Sequence, residues 1–226
     1  MKLRGEVLGL WMALAVGGPA MAAGGAHLVD DAGVETPGTC HLESWITGYG
    51  AGRGLANLSP ACTREDLPRL EIGAGFQYLR DHPDDAVAGP ALKLNLVPDN
   101  QAVGLALTGA AGWSLRRGRL ETASVVAPLS WAASYQTQIN LNAGWMYARG
   151  ARRRNDATYG AQVNHALGEH VSLMAEVVGH YHLRAGAQAG VRWNPGGGPV
   201  DLDLLAGRYV DGSSRSAITF GLTVRR

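Results

Sequence analysis

Four charged residues late in the chain, Glu176, Arg192, Asp201 and Asp203, share one alternating phase with small residues. They are the side chains whose types and spacing best suit joint chemistry. Carboxylates gathered on one guanidinium form charge-assisted hydrogen bonds, which lock a register or build a charged constriction rather than break bonds. Folding Val171 to Trp193 as a hairpin about Arg184 sets Glu176 opposite Arg192. Folding the next turn between Gly196 and Gly197 sets Arg192 opposite Asp201, with Asp203 one step along. Lys93 adds a cation, and Asp30, Asp31 and Glu35 face it if the segment Gly24 to Gly38 folds inward as a plug.

Bond-breaking chemistry finds less support. His165 or His170 with Ser172 is the available base and nucleophile pair, yet no nucleophile motif surrounds Ser172, so no catalytic residue is expected. His180 and His182 share a strand-like phase, but a metal needs a third ligand, and two exposed loop histidines are the simpler reading. No metal or cofactor is expected. Gly73-Ala74-Gly75 and Gly196-Gly197-Gly198 do not open a helix after a strand, so neither reads as a phosphate cradle.

Residues 1–22 have a basic head (Lys2, Arg4), an apolar run and the cleavage pattern Ala20-Met21-Ala22, which predicts a secretory signal peptide. Removing it takes Lys2, Arg4 and Glu6 from a chain of 20 basic and 19 acidic residues and leaves it formally neutral. A neutral chain without a basic face argues against nucleic acid, and no later apolar run is long enough for a membrane helix. Export favours a disulfide for the two cysteines. Cys40 and Cys62 fall opposite each other when the first hairpin folds about Ala51.

The element that must position all of this is the strand. Thr137 to Tyr147 alternates strictly, with Ile139, Leu141, Ala143, Trp145 and Tyr147 against Gln138, Asn140, Asn142, Gly144 and Met146. Successive side chains of a strand point to opposite faces, so one face is apolar and the other polar or small. The pattern recurs in Leu70–Leu79, Ala91–Val97, Ala102–Gly112, Ala123–Ala133, Thr158–His165, Val171–Val178, Gly186–Trp193, Val200–Arg208 and Ala217–Val224. With Thr39–Gly48 and Leu55–Cys62 this makes about twelve strands. The prediction is all-β: a transmembrane antiparallel up-and-down β-barrel over residues 39–226, preceded by an N-terminal periplasmic or lumen segment, 23–38. Pro128 lies mid-strand and predicts a bulge.

A soluble barrel or sandwich would need many long charged residues on its wet face. Here that face is mainly Gly, Ala, Ser, Asn and Gln, as a closed lumen requires, and Tyr78, Trp131, Trp145, Tyr147 and Trp193 supply interfacial aromatics. Short connections (98–100, 134–136, 167–169, 194–199) alternate with longer charged ones (81–89, 114–122, 148–157, 179–185, 209–216). The expected location is the outer membrane of a Gram-negative bacterium, with membrane lipid as partner. Arg116-Arg117-Gly118-Arg119 and Arg152-Arg153-Arg154 suit lipopolysaccharide phosphate.

Ala26-His27-Leu28-Val29-Asp30-Asp31-Ala32-Gly33, Gly38 and Leu42-Glu43 resemble the opening of the outer-membrane porins grouped with the meta-pathway of phenol degradation. Leu141-Asn142-Ala143-Gly144-Trp145, Ala175-Glu176-Val177, Ala189-Gly190-Val191-Arg192-Trp193 and Asp201-Leu202-Asp203 extend the likeness over most of the exported chain. The resemblance implies an outer-membrane barrel with a transport role and supplies no catalytic residues. The functional expectation is a channel for small solutes. A closed structural or adhesive barrel and a membrane-embedded lipid enzyme are the alternatives.

Overall fold

The computed structural model describes residues 26–81, 84–98, 102–151, 153–182 and 184–226. The proposed signal peptide, the turn residues Asp99 and Asn100, and Arg152 lie outside them. Twelve strands follow one another in antiparallel order: β1 (Cys40–Gly50), β2 (Arg53–Thr63), β3 (Leu70–Arg80), β4 (Asp85–Val97), β5 (Val103–Ser114), β6 (Arg119–Ala132), β7 (Thr137–Ala148), β8 (Asn155–Ala166), β9 (Val171–His180), β10 (Gly186–Trp193), β11 (Val200–Arg208) and β12 (Ala217–Arg225). Each pairs with its sequence neighbours, and β1 pairs with β12, so the sheet closes into a barrel without a free edge. Closure matters because an unpaired strand edge would leave a row of backbone donors and acceptors unsatisfied.

Polarity runs inside out relative to a water-soluble domain. Leu141 and Trp145 of β7 stand on the outer wall 47% and 42% exposed, while Asn140 beside them is fully buried in the interior. The same split repeats around the barrel. Phe76, Leu92, Val163, Leu173 and Phe220 lie outside, and Asn95, Gln162, Glu176, Arg192 and Thr223 lie inside. Exposed aromatics occur near both rims, Trp131 and Trp193 at the end that carries the termini and Tyr78, Trp113 and Trp145 toward the other.

Pro128 makes no bulge. The β5–β6 register is the same on both sides of it, Leu105 opposite Leu129 and Thr108 opposite Val126, and no pairs form between. The missing N–H costs a gap in one ladder, while the other side still pairs Pro128 with Asn142. Bulges fall instead at Gly48/Gly50, Asn95/Val97 and Gly112/Trp113. The connections away from the termini are also shorter than expected, because β4, β6 and β8 begin at Asp85, Arg119 and Asn155, inside segments read as loops. Charge marks where a strand leaves the apolar belt; only the end of backbone pairing marks where it stops.

The first hairpin turns at Ala51 and Gly52, both at positive φ, and sets Cys40 opposite Cys62. Their sulfurs form a disulfide. It ties the hairpin at the rim where the N-terminal segment enters. Thiol labelling of the denatured, unreduced protein should therefore find no free cysteine, and labelling of both would contradict this pairing.

Candidate functional site

The lumen is occupied by residues 26–37, which have no regular structure and follow the interior wall almost all the way round. Starting at the termini end, Glu35 accepts a hydrogen bond from Arg225 Nε of β12 at 2.9 Å and lies 3.3 Å from His41 Nδ1 of β1. Its own amide donates to Glu71 of β3. At Ala32 the carbonyl accepts from Asn95 Nδ2 of β4 at 2.6 Å and the amide donates to Ser130 Oγ of β6 at 2.8 Å. Asp30 exchanges two hydrogen bonds through its backbone with the Asn142 side chain of β7. Val29 packs so closely on β8 that a Cβ added at Gly160 would lie 2.8 Å from its Cγ2. Leu28 and Val29 both donate their amides to the Glu176 carboxylate of β9, at 2.9 and 3.1 Å. The circuit ends with the Ala26 carbonyl on Gln188 of β10 and His27 against Asp203 of β11 at 3.6 Å.

An irregular segment buried in a lumen must find partners for its backbone polar groups. The wall's Asn, Gln, Ser and Glu side chains supply them here. Val29 and Ala32 are fully buried and Ala26 nearly so, which adds apolar contact to the polar fastening.

The charged residues singled out in the sequence all face the interior but fall into separate groups. Lys93 Nζ reaches Asp30 Oδ1 at 2.9 Å and Asp31 Oδ1 at 3.0 Å. Arg192 grips Asp203 with a two-pronged contact, Nε to Oδ1 at 2.7 Å and Nη2 to Oδ2 at 2.9 Å. Asp201 is taken by Arg225 Nη1 and by Asn194 Nδ2. Glu176 is hydrogen-bonded by Gln162 and Gln188 in addition to the segment's amides.

Two expected pairings are therefore corrected. Arg192 lies opposite Ser172 and Asp203, and Glu176 lies opposite Gln188 and Gln162. The β9–β10 hairpin centres on His182, two residues before the expected Arg184, with Gly186 opposite Val178. The next turn is set one residue later by the 3₁₀ turn Pro195–Gly197. Gly196 and Gly197 there take positive φ, and the Asn194 side chain donates to the Gly198 carbonyl. Both corrections move partners by an even number of residues, which changes the neighbour but leaves every side chain on its predicted face.

His41, Gln162, Gln188 and Arg225 belong to the site although sequence reasoning did not select them. Arg225 was findable: Ala217, Thr219, Gly221 and Thr223 set a small-residue phase that it continues. Glu43 and Trp45, which share one phase of β1, both line the lumen.

The segment leaves two cavities. One of about 480 Å³ runs along the small-residue wall of β3 to β6, and one of about 680 Å³ opens toward the termini end. Gly33, Val34 and Glu35 line both, so these three residues form part of the partition between them.

The other chemical candidates are dispersed. Ser172 faces the lumen, whereas His165 alternates onto the outer wall and contacts Thr137 Oγ1. His170 lines the second cavity with Ser172. His182 is engaged by Asp156 and Arg153. Among the described residues no group of three His, Cys, Asp or Glu is placed to hold a metal ion.

A family model described as uncharacterised conserved protein UCP029691 matches residues 11–226. No curated protein matches the chain by sequence. Solved porins share its fold. The KdgM porin in complex with disordered oligogalacturonate superposes with a TM-score of 0.61 at 5% identity, over 82% of this chain and 98% of that one. The NanC porin superposes at 0.60 and 9% identity with the same coverage.

Proposed function

For this chain, which belongs to the uncharacterised conserved protein family UCP029691, we propose the function of an outer-membrane, porin-like channel for small solutes whose lumen is held closed by its own N-terminal segment. The observation that carries the reading is the inverted polarity. A closed wall of exposed Leu, Ile, Val and Phe around a polar, charged interior is stable only where the surroundings are apolar. The porin-type fold supports it. The fastened segment favours a second reading, a permanently closed structural barrel.

The charges of the lumen point to the class of solute. Once the segment moves aside, the wall still presents Glu43, Glu71, Glu176, Asp201 and Asp203 against Lys93, Arg192 and Arg225. Such a wall attracts cations and repels anions. The oligogalacturonate named with the KdgM porin is a polyanion, so this lumen suits a different cargo.

The exported protein should fractionate with outer membranes and migrate differently on a gel before and after heating. Recovery as a soluble periplasmic monomer would contradict the membrane reading. In a salt gradient the open channel should show a reversal potential of the sign that cation preference requires, and an anion-selective potential would overturn the assignment of solute charge.

A further inference from the structure

Arginine is unevenly spread over this chain. Lysine occurs only at Lys2 and Lys93, and most of the arginines lie at the rim away from the termini. On the β1 to β6 side of that rim three guanidiniums are neutralised within the protein, while Arg116 donates to the Asp84 carbonyl. Arg53 meets Asp81 and Asp211, Arg117 meets Asp85 and Glu121, and Arg119 meets Glu121.

The β7 to β12 side differs. Arg149, Arg153, Arg154, Arg184, Arg208 and Arg215 have no carboxylate within salt-bridge distance among the described residues. Their positions are set instead by groups without negative charge. Arg149 donates to the Leu120 carbonyl, Arg153 contacts His182, Arg184 lies 4.5 Å over the Tyr209 ring, and Arg208 donates to the Arg215 carbonyl. The two acids on this side are already engaged, Asp156 by His182 and Asp211 by Arg53, Ser213 and Ser214. Burial raises the Asp211 carboxyl, but the amides and hydroxyls of Ser214 and Ser213 hold it down at about 2, so it stays ionised and keeps Arg53 rather than releasing it.

We propose that this arc is a docking surface for the phosphate groups of an outer-leaflet glycolipid of the lipopolysaccharide type. The planar guanidinium matches phosphate bidentately, which a lysine does not, and a set of arginines without carboxylate partners retains its positive charge for a partner. The choice of a lipid rather than a free anion rests on strand phase. Arg208 continues the outer-wall positions Leu204 and Ala206 of β11. It leaves the barrel from the apolar face, at the level where a headgroup begins, rather than from the mouth. The inference rests on the membrane reading above and on this rim facing outward.

The test uses the full exported chain in mixed micelles carrying bis-phosphorylated lipid A, with the dephosphorylated lipid and inorganic phosphate as the other arms. Each guanidinium near an anionic surface is worth about a fivefold change in binding. The variant Arg153→Gln/Arg154→Gln/Arg208→Gln should therefore bind lipid A roughly a hundredfold more weakly at low salt. Arg64→Gln, at the opposite rim, should bind as the native protein does. Binding by the triple variant within about twofold of native would overturn the proposal, as would equal binding of the dephosphorylated lipid. Displacement of lipid A by equimolar inorganic phosphate would assign the arc to a free anion and overturn it too. The heat shift is recorded on the same samples. Its absence from the native protein would mark a failure of the barrel reading, whereas its presence with unaltered lipid A binding would mark a failure of the arc. If the triple variant loses its heat shift, the loop variant Arg153→Gln/Arg154→Gln decides, with an expected loss of about 25-fold.

Discussion

Arg192→Ala is expected to destabilise the barrel by about 3–5 kcal/mol, the usual cost of leaving one member of a buried ion pair alone. The Asp203 side chain has no exposed surface, and both of its oxygens are held by the Arg192 fork. Without the guanidinium its nearest cation is His27 at 3.6 Å, which counts only when protonated. The reverse deletion, Asp203→Ala, should cost less. Arg192 lines the larger cavity, where water can solvate a guanidinium, and aspartate has no such refuge. Arg192→Lys should recover part of the loss, restoring the charge but not the two-pronged geometry. The check is the temperature at which the folded gel band converts to the unfolded one. A loss no larger than that of Arg149→Ala, which touches a carbonyl and a ring at the rim, would contradict the account.

Glu176→Ala should loosen the N-terminal segment from the wall. The carboxylate accepts from the amides of Leu28 and Val29 and from Gln162 and Gln188. Hydrogen bonds to a charged group are worth about 1.5–3 kcal/mol each, and those of one carboxylate are not additive. A net loss of about 3 kcal/mol corresponds to a shift of roughly 150-fold between seated and released segment. Amide exchange over residues 28–32 should quicken by that order, with Glu176→Gln intermediate because it keeps one oxygen acceptor. Unaltered exchange would show that the segment is fastened elsewhere.

The strands were legible because the pattern that defines them is local. Alternation identifies each strand and its two faces, and an inside-out barrel needs little more than that. Gly186–Trp193 and Val200–Arg208 appear in the structure with the limits read from the sequence. Partners across strands were less legible, since pairing depends on where each turn closes. The Cys40–Cys62 hairpin came out right because its tip is a tight two-residue turn. The β9–β10 pairing slipped by an even number because its turn centres on His182 rather than Arg184, and the β10–β11 pairing because Pro195 opens a 3₁₀ turn. Strand phase survived both slips, so Glu176, Arg192, Asp201 and Asp203 were assigned to the interior although their partners were misread. The route of residues 26–37 had no periodicity to betray it. The acids Asp30, Asp31 and Glu35, set against a lone lysine in the small-residue phase, were the available sign.

The central claim is that residues 26–37 close the lumen of a channel. Single-channel conductance in planar bilayers tests it most directly, comparing the full exported chain with one lacking this segment under the same salt. The shortened barrel should give steady, cation-preferring openings, and the full chain should stay closed or conduct far less. Equal conductance of the two, or none from either, would contradict the claim.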